Sequence, residues 1–317
     1  KTVSKELELT LTGKDCGQEE RAPMCGIPFH AAENYITRLV SNGHKVAICE
    51  QMEDPKKAKG IVKREVIKVV TPSTNLNSQS LDETKNNYLC GIVYLGDKIG
   101  VSFIDYTTGD YFVTELENGS ELIDEINKFV PAEIITVSTL DSWYFDEDTC
   151  INKLMSHFKL TTLDGLGLKD YSTGIIAAGA VLIYLYETQK NDLMHITSIS
   201  PYTTGKYMLI DSSSRRNLEL VETLREKQKR GSLLWVLDKT KTAMGARTLR
   251  SMIEQPLINK ETIEGRLDVI EELNNNSIDR EEIREYLNPI YDLERLMTKI
   301  SCKSANPRDL IAFRNSL

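Results

Sequence analysis

Three blocks of sequence between residues 23 and 74 decide the fold of the first quarter of the chain. They are PMCGIPFHAAENY (residues 23–35), VAICEQMEDP (46–55) and VVTPST (69–74). The first block enters a stretch with the apolar spacing of an amphipathic helix, and the other two carry the β-branched runs typical of strands. Their order predicts a small domain that mixes one helix with short strands.

The residues around these blocks extend the prediction over residues 1–75. Gly43 follows the helical stretch and supplies the left-handed conformation that ends many helices. The predicted elements are a half-buried strand through Leu7, Leu9 and Leu11, a helix at 31–41, and strands at 46–49 and 62–70.

A basic loop is predicted between the last two of these strands. Lys56, Lys57 and Lys59 lie on it, and Lys63 and Arg64 lie at the start of the strand that follows. Cations on one projecting element can neutralise phosphates without reading base sequence. An ordinary solvated hairpin tip would show the same composition, so the residues alone leave both interpretations open.

Length and charge divide the chain into three parts. With 317 residues it is too long for one ordinary core. Lys and Arg number 12 over residues 1–75, 7 over 76–196 and 20 over 197–317, whereas Asp and Glu number 10, 19 and 18. The three parts therefore carry net charges of +2, −12 and +2. The acidic middle part contains no arginine, so phosphate contact is expected only at the ends.

The middle part reads as a three-strand meander followed by helix, strand and helix, the layout of a ribonuclease H-like domain. A polar linker at 73–87 precedes it. The predicted strands cover 88–95, 98–105, 111–116 and 134–137, with one helix capped by Ser120 and another covering 172–186. The apolar helix is too short to span a bilayer, and six cysteines without framework spacing suit a reducing cytoplasm.

The last part is predicted to be helical after one strand-like run at 207–210. Its helix starts are marked by Asp211 with the following serines (for a helix holding Leu218, Val221 and Leu224), Thr242, Asn259, Asp279 with Glu282, and Asn306 with Pro307.

These blocks, with the landmarks DSSSRRNLE (211–219), MGAR (244–247) and NPRDL (306–310), resemble the MutS family of mismatch-repair proteins over essentially the whole chain. The resemblance implies a multi-domain α/β plus α protein. Its parts are a mismatch-recognition domain (1–75), a ribonuclease H-like connector domain (76–196) and the first half of a helical core (197–317).

The resemblance also implies a DNA-binding site. Lys14 and Arg64 fall where the family places cations that contact the DNA backbone, beside the loop lysines Lys56, Lys57 and Lys59. Met24 falls where the family packs an apolar side chain near the minor groove. An apolar wedge holds DNA kinked at a weakly stacked step. His30 is expected to pack beneath the loop.

Partners and cofactors follow from the same resemblance. The expected partners are double-stranded DNA with mismatches and a MutL-type protein bound through the connector, with no membrane. The parent protein is expected to be a homodimer that uses ATP and Mg²⁺ in a C-terminal domain; no cofactor is expected in this chain. Because the chain has no initiator Met and ends as a helix begins, it is interpreted as a fragment.

Two motifs depart from the family pattern. The Gly-Asp-Phe-x-Glu context that reads a mispaired base is not in the sequence, and Phe145-Asp-Glu147 shares only its spacing. Neither Gly13-Lys14 nor Gly205-Lys206 has the upstream glycine of a P-loop. We therefore expect weak mismatch discrimination and no ATP hydrolysis by this chain.

The same sequence bears on three other functions. A ribonuclease H-like nuclease needs several converging carboxylates, and only Asp105 is well placed. The position of Asp105 at a strand end is more typical of a turn residue. The cysteines and histidines of the first part lack zinc spacing. A non-catalytic scaffold that presents Trp143 and Tyr144 to a partner remains the other alternative.

Overall fold

The computed structural model describes residues 1–17, 19–54, 56, 60–77 and 81–317, with Thr204 described by its backbone alone. The first part contains two small antiparallel sheets and two helices. Its elements are α1 (Thr2–Glu6), β1 (Thr12–Lys14), β2 (Ala22–Met24), α2 (Ala32–Ser41), β3 (Val46–Gln51) and β4 (Arg64–Val70). β1 pairs with β2, and β3 pairs with β4 through a register shift after Ile48.

The strand predicted through the first three leucines was wrong. The chain forms α1 and then a turn, because the Leu7 amide bonds back to the Val3 carbonyl and Ser4 Oγ donates to the Leu9 carbonyl. Only Leu7 is buried, while Leu11 is exposed. Among the described residues, no strand pairs with residues 7–11 to bury one face of the alternation. The helix and the two later strands were confirmed, and Gly43 has the expected positive φ of 85°.

The middle part is built around a five-stranded sheet. Its strands are β5 (Tyr88–Leu95), β6 (Lys98–Asp105), β7 (Tyr111–Leu116), β8 (Glu133–Ile135) and β9 (Ser200–Pro201). The strand order is β8-β5-β6-β7-β9, with the central three antiparallel and the two edge strands parallel to their neighbours. Helices α3 (Gly119–Phe129), α4 (Glu147–Phe158) and α5 (Ser172–Gln189) complete it.

The apolar helix α5 lies directly on this sheet. Two glycines allow the close approach: a Cβ on Gly100 would lie 2.1 Å from the Thr173 carbonyl oxygen, and one on Gly91 would lie 2.5 Å from a methyl of Val181. Buried Leu182 and Leu185 of α5 join the largest apolar cluster. The prediction that this stretch is a buried core helix was confirmed.

Three local predictions in the middle part need correction. Asn118, not Ser120, caps α3 by accepting from the Glu121 amide. The fourth strand ends at Ile135, because residues 136–139 turn through a hydrogen bond from the Thr139 amide to the Thr136 carbonyl. Helix α4, capped by Asp146, was not predicted.

The last part is helical. Its helices are α6 (Ser212–Asn217), α7 (Leu233–Leu237), α8 (Ala243–Glu254), α9 (Lys260–Asn275), α10 (Ser277–Leu287), α11 (Leu293–Ser301) and α12 (Pro307–Ser316). The caps Asp211, Thr242, Asn259 and Asn306 were confirmed, the last as a capping box with Asp309.

Three further predictions were wrong here. The helix capped by Asp211 ends at Asn217, before the apolar residues it was expected to hold, and Glu219 turns the backbone at a φ of 48°. The cap of α10 is Asn276, because its side chain, one residue before the helix, accepts from the Asp279 amide. The strand-like run forms only an isolated bridge between Tyr207 and Leu257.

Among the described residues, no helix has both the length and the apolar content needed to cross a bilayer.

Candidate nucleic-acid interface

The first hairpin, β1–β2, presents a basic and an apolar side chain on one face. Thr12 lies opposite Met24, and Lys14 lies opposite Ala22. Directly opposed residues and residues two apart share a face of a sheet, so Lys14 and Met24 project on the same side. Thr12 Oγ1 donates to the Met24 carbonyl over 2.8 Å and holds the hairpin end. All six strand residues are exposed, and Met24 keeps 45% of its surface accessible.

The second hairpin, β3–β4, carries the other predicted cations at its open end. Arg64 is the first residue of β4 and pairs with Gln51, the last residue of β3. Lys56 lies in the connecting loop, where its amide donates to Asp54 Oδ1 over 3.0 Å. Both are exposed. Lys57 and Lys59 lie outside the described residues, so their placement stays a prediction.

An ion pair beside Arg64 modulates the charge of this hairpin end. Lys63 Nζ lies 2.6 Å from Glu65 Oε1, and the Lys63 amide donates to Glu53 Oε1 over 2.7 Å. The hydrogen bond and the negative charge of Glu65 raise the pKa of Lys63 above its ordinary value. Glu65 therefore competes with phosphate for Lys63, whereas Arg64 forms no ion pair within the described part of the chain.

Two exposed apolar side chains were not singled out from the sequence. Phe29 and Ile61 keep 89% and 97% of their surfaces accessible. Phe29 opens a short 3-10 helix (Phe29–Ala31) that also contains His30. His30 is exposed too, so the prediction that it packs beneath the loop was wrong. The signal in the sequence was Pro28, whose fixed φ starts the helical turn that displays Phe29.

A polar cluster fixes this domain to the middle part. Lys45, just before β3, lies 2.9 Å from Glu133 Oε1 of β8, and Tyr184 of α5 donates to the same oxygen over 2.6 Å. Ser73 Oγ donates to Glu133 Oε2 over 2.7 Å. Burial would raise the pKa of Glu133, but these hydrogen bonds outweigh it and hold the pKa below its ordinary value. The base of β3–β4 is thus anchored while its basic end stays free.

Asp105, the carboxylate weighed for a nuclease, is fully engaged within the protein. Its Oδ1 accepts from the amide and hydroxyl of Thr107 over 2.8 and 2.7 Å. Its Oδ2 accepts from Asn86 Nδ2 and the Asn87 amide over 2.9 and 3.0 Å. These four bonds make it a turn residue at the end of β6, which agrees with that interpretation of the sequence.

Metal and nucleotide chemistry find no matching arrangement in the described part of the chain. No group of three or more His, Cys, Asp or Glu side chains is placed to hold a metal ion there. Gly13-Lys14 lies within β1, and Gly205-Lys206 lies in a 3-10 helix (Thr204–Lys206). A phosphate-binding P-loop needs a strand, a glycine-rich loop and a helix in succession. Neither pair fits a nucleotide phosphate.

Three family models match successive stretches of the chain. Residues 1–79 match the family model described as MutS domain I, residues 87–197 match MutS domain II, and residues 213–317 match MutS domain III. The three matches follow one another along nearly the whole sequence. The chain belongs to the MutS family.

Curated relatives extend the comparison. The chain is 66% identical to the DNA mismatch repair protein MutS of Lachnoclostridium phytofermentans, over 99% of this chain and 36% of that protein. It is 52% identical to the MutS of Ruminiclostridium cellulolyticum (99% and 38%) and 48% identical to that of Acetivibrio thermocellus (99% and 39%). The chain thus spans less than two fifths of the length of these relatives.

Proposed function

We propose that this chain is the part of a DNA mismatch-repair protein that binds mismatched duplex DNA. The observation that carries the proposal is the exposed face of β1–β2, where Lys14 and Met24 project together, in the region that matches MutS domain I. Arg64 and Lys56 at the free end of β3–β4 supply further exposed cations. Lys57 and Lys59 are proposed to extend this set.

The residues divide the work by chemistry. Lys14, Lys56 and Arg64 contact phosphates and position the domain, whereas Met24 packs against the minor groove. An apolar side chain there stabilises a kink, and a mispaired step kinks at a lower free-energy cost than a paired one. Without a Phe-x-Glu element that contacts the base, the preference for a mismatch is expected to be weak.

The rest of the chain is proposed to support this binding. The meander with parallel edge strands is consistent with a ribonuclease H-like connector domain (76–196) that contacts a MutL-type partner, beside a DNA-binding domain (1–75) and a helical core (197–317). Homodimerisation, ATP and Mg²⁺ use, and a cytoplasmic location are proposed for the whole protein. We propose no catalytic role for the residues of this chain.

Fluorescence anisotropy with matched and single-mismatch duplexes tests the proposal. Binding should weaken as salt rises, and Lys14→Gln and Arg64→Gln should each reduce the salt slope by about one. Lys169→Gln, an exposed lysine of the middle part, is the matched control and should leave the slope unchanged. An equal reduction of the salt slope in all three variants would refute the assignment of these residues. If the unsubstituted chain does not bind DNA, the scaffold alternative is favoured.

Cys16 provides an independent test of the binding face. It is exposed in the turn of the first hairpin, two residues after Lys14, whereas Cys150 is buried beneath α5. Bound duplex should slow alkylation of Cys16, as measured by peptide mass spectrometry, and leave Cys150 protected throughout. An unchanged rate at Cys16 with DNA bound would place the interface elsewhere.

A further inference from the structure

The segment between the first and middle parts contains a tight turn at residues 82–85, which we call the linker turn. Asp82 Oδ1 accepts from the amide and hydroxyl of Thr84 over 2.9 and 2.6 Å. The Lys85 amide donates to the Asp82 carbonyl over 3.1 Å. These local bonds leave the Glu83 and Lys85 carbonyls without a partner inside the turn, and the Asp82 carbonyl, which accepts from the Lys85 amide, keeps a second lone pair for a further donor.

Two buried arginines of the helical part satisfy all three carbonyls. Arg295 of α11 donates from Nη1 to the Asp82 carbonyl over 3.3 Å and from Nη2 to the Lys85 carbonyl over 2.6 Å. Arg247 of α8 donates from Nη1 to the Glu83 carbonyl over 2.9 Å. The Arg247 and Arg295 side chains keep only 5% and 10% of their surfaces accessible, so these bonds are largely shielded from water.

The two arginines are themselves held in place. Asp292 caps α11 and accepts from both terminal nitrogens of Arg247 over 2.6 and 2.9 Å. Arg295 Nε donates to Thr107 Oγ1 over 3.2 Å, and Thr107 in turn bonds to Asp105 at the end of β6. A planar guanidinium suits such paired acceptors, which a lysine ammonium cannot match.

The residues after the linker turn bond to the other two parts of the protein. Asn86 and Asn87 both donate to Asp105 Oδ2. Asn87 Nδ2 also donates to the Pro72 carbonyl over 2.9 Å. Pro72 follows β4 by two residues, and Arg64 begins that strand. Residues 82–87 therefore contact the DNA-binding domain, the sheet of the middle part and two helices of the last part.

We propose that Arg247 and Arg295 are positioning residues that join these three parts, so that order in β4 depends on α8 and α11 and the reverse. The structural coupling itself does not depend on DNA binding; only its role in DNA binding rests on the proposed function. Buried guanidinium groups add little net stability compared with apolar residues of similar volume, so their role here is geometric. Coupling between two sites is reciprocal, so loosening the helical end must loosen the strand that carries Arg64.

Hydrogen–deuterium exchange of the DNA-free chain tests the coupling first. Arg295→Lys keeps the charge but cannot bridge both carbonyls, and it should speed amide exchange severalfold in β4 as well as in the linker turn and α11. The control is Arg280→Lys on α10, since Arg280 also donates to a backbone carbonyl, that of Leu273, far from the linker. A purely local role would speed exchange in the linker turn and α11 alone, and that result would overturn the proposal.

Duplex DNA supplies the second arm. Binding should slow exchange in α8 and α11 of the parent chain, and Arg295→Lys should abolish that response while the salt slope of binding is retained. Binding without any change in α8 and α11 would contradict the coupling but leave the DNA-binding proposal intact. If the unsubstituted chain does not bind DNA, only the DNA-binding proposal is refuted, because the exchange experiment without DNA decides the coupling. If Arg295→Lys does not fold, Arg247→Lys replaces it in both arms.

Discussion

Lys45 Nζ lies 2.9 Å from Glu133 Oε1, and this ion pair joins the start of β3 in the first part of the chain to the edge strand β8 of the middle part. Glu133 is 8% exposed and also accepts from Tyr184 and Ser73. Lys45, by contrast, is half exposed. The anchoring therefore depends more on the buried carboxylate and its hydroxyl partners than on the lysine.

Glu133→Gln should destabilise the chain by about 1–3 kcal/mol, because a buried group that accepts three hydrogen bonds loses its charge and one acceptor. Urea unfolding at neutral pH, followed by fluorescence, measures the loss. Lys45→Met should cost less, since the exposed lysine is screened by solvent. An equal or larger loss in Lys45→Met would show that the lysine dominates the anchor.

The same carboxylate predicts a pH dependence. The folded pKa of Glu133 lies below its ordinary value, so the folded state binds the proton less readily than the unfolded state. Its stabilising contribution is complete above the unfolded pKa and is lost as the pH falls through the folded pKa. The difference in stability between the unsubstituted chain and Glu133→Gln should therefore hold from neutral pH to about pH 4.5, near the unfolded pKa, and shrink over the acidic range below it. A constant difference over that range would contradict the assignment.

Glu65→Gln should strengthen duplex binding. Removing the carboxylate that pairs with Lys63 frees this cation for phosphate and removes a like-charge repulsion from DNA. An affinity gain of about two- to threefold is expected at low salt, fading as salt rises. Anisotropy titrations measure it, with Glu187→Gln as the control, because Glu187 forms a similar exposed pair with Lys190 in the middle part.

Gly100→Ala should destabilise the middle part by about 3 kcal/mol or more. The added methyl would meet the Thr173 carbonyl at 2.1 Å, which is backbone and cannot move without displacing α5. Gly119→Ala is the matched control: it lies in the first turn of α3 with open space around its Cβ position, and should be neutral or slightly stabilising. Thermal unfolding distinguishes the two.

The sequence predicted the sheet of the middle part well because its signals are local. Gly96 takes a φ of 59° in the hairpin turn, and the three strands around it and Gly109 have the predicted bounds. Helix α4 was missed because only Cys150 and Leu154 of its twelve residues are buried, which is a weak periodic signal. The strand predicted from the leucine alternation was wrong because burial of a strand face depends on a partner strand, which the local sequence does not specify.

The candidate site was predictable to a smaller extent. The resemblance assigned DNA contacts to Lys14, Met24 and Arg64, and the structure places all three on exposed strands, where those contacts stay predictions. The Lys63–Glu65 pair follows from a strand period of two once the strand is known. In contrast, Arg295 meets the Lys85 carbonyl across 210 positions of sequence and Arg247 meets Glu83 across 164. No local pattern specifies contacts between residues so far apart.

Glu115 of β7 caps the apolar helix α5 from outside, and its removal should weaken the whole middle part. Its Oε1 accepts from the amides of Thr173 and Gly174 over 2.6 and 3.1 Å, where α5 has no side-chain cap of its own. Burial would raise the pKa of Glu115, but the bond from Lys98 and the two amides lower it below its ordinary value. A negative charge at a helix N-terminus is stabilising.

Glu115→Ala should therefore cost about 1–3 kcal/mol at neutral pH, since it leaves two largely buried amides without an acceptor. Lys98→Met tests the alternative that the ion pair with Lys98 matters more; because Lys98 is exposed, we expect a smaller loss from it. Since the folded pKa is lowered, the contribution of Glu115 should fade as the pH drops through that folded value, as followed by urea unfolding. Equal losses in the two variants would assign the stabilisation to the ion pair rather than to the helix cap.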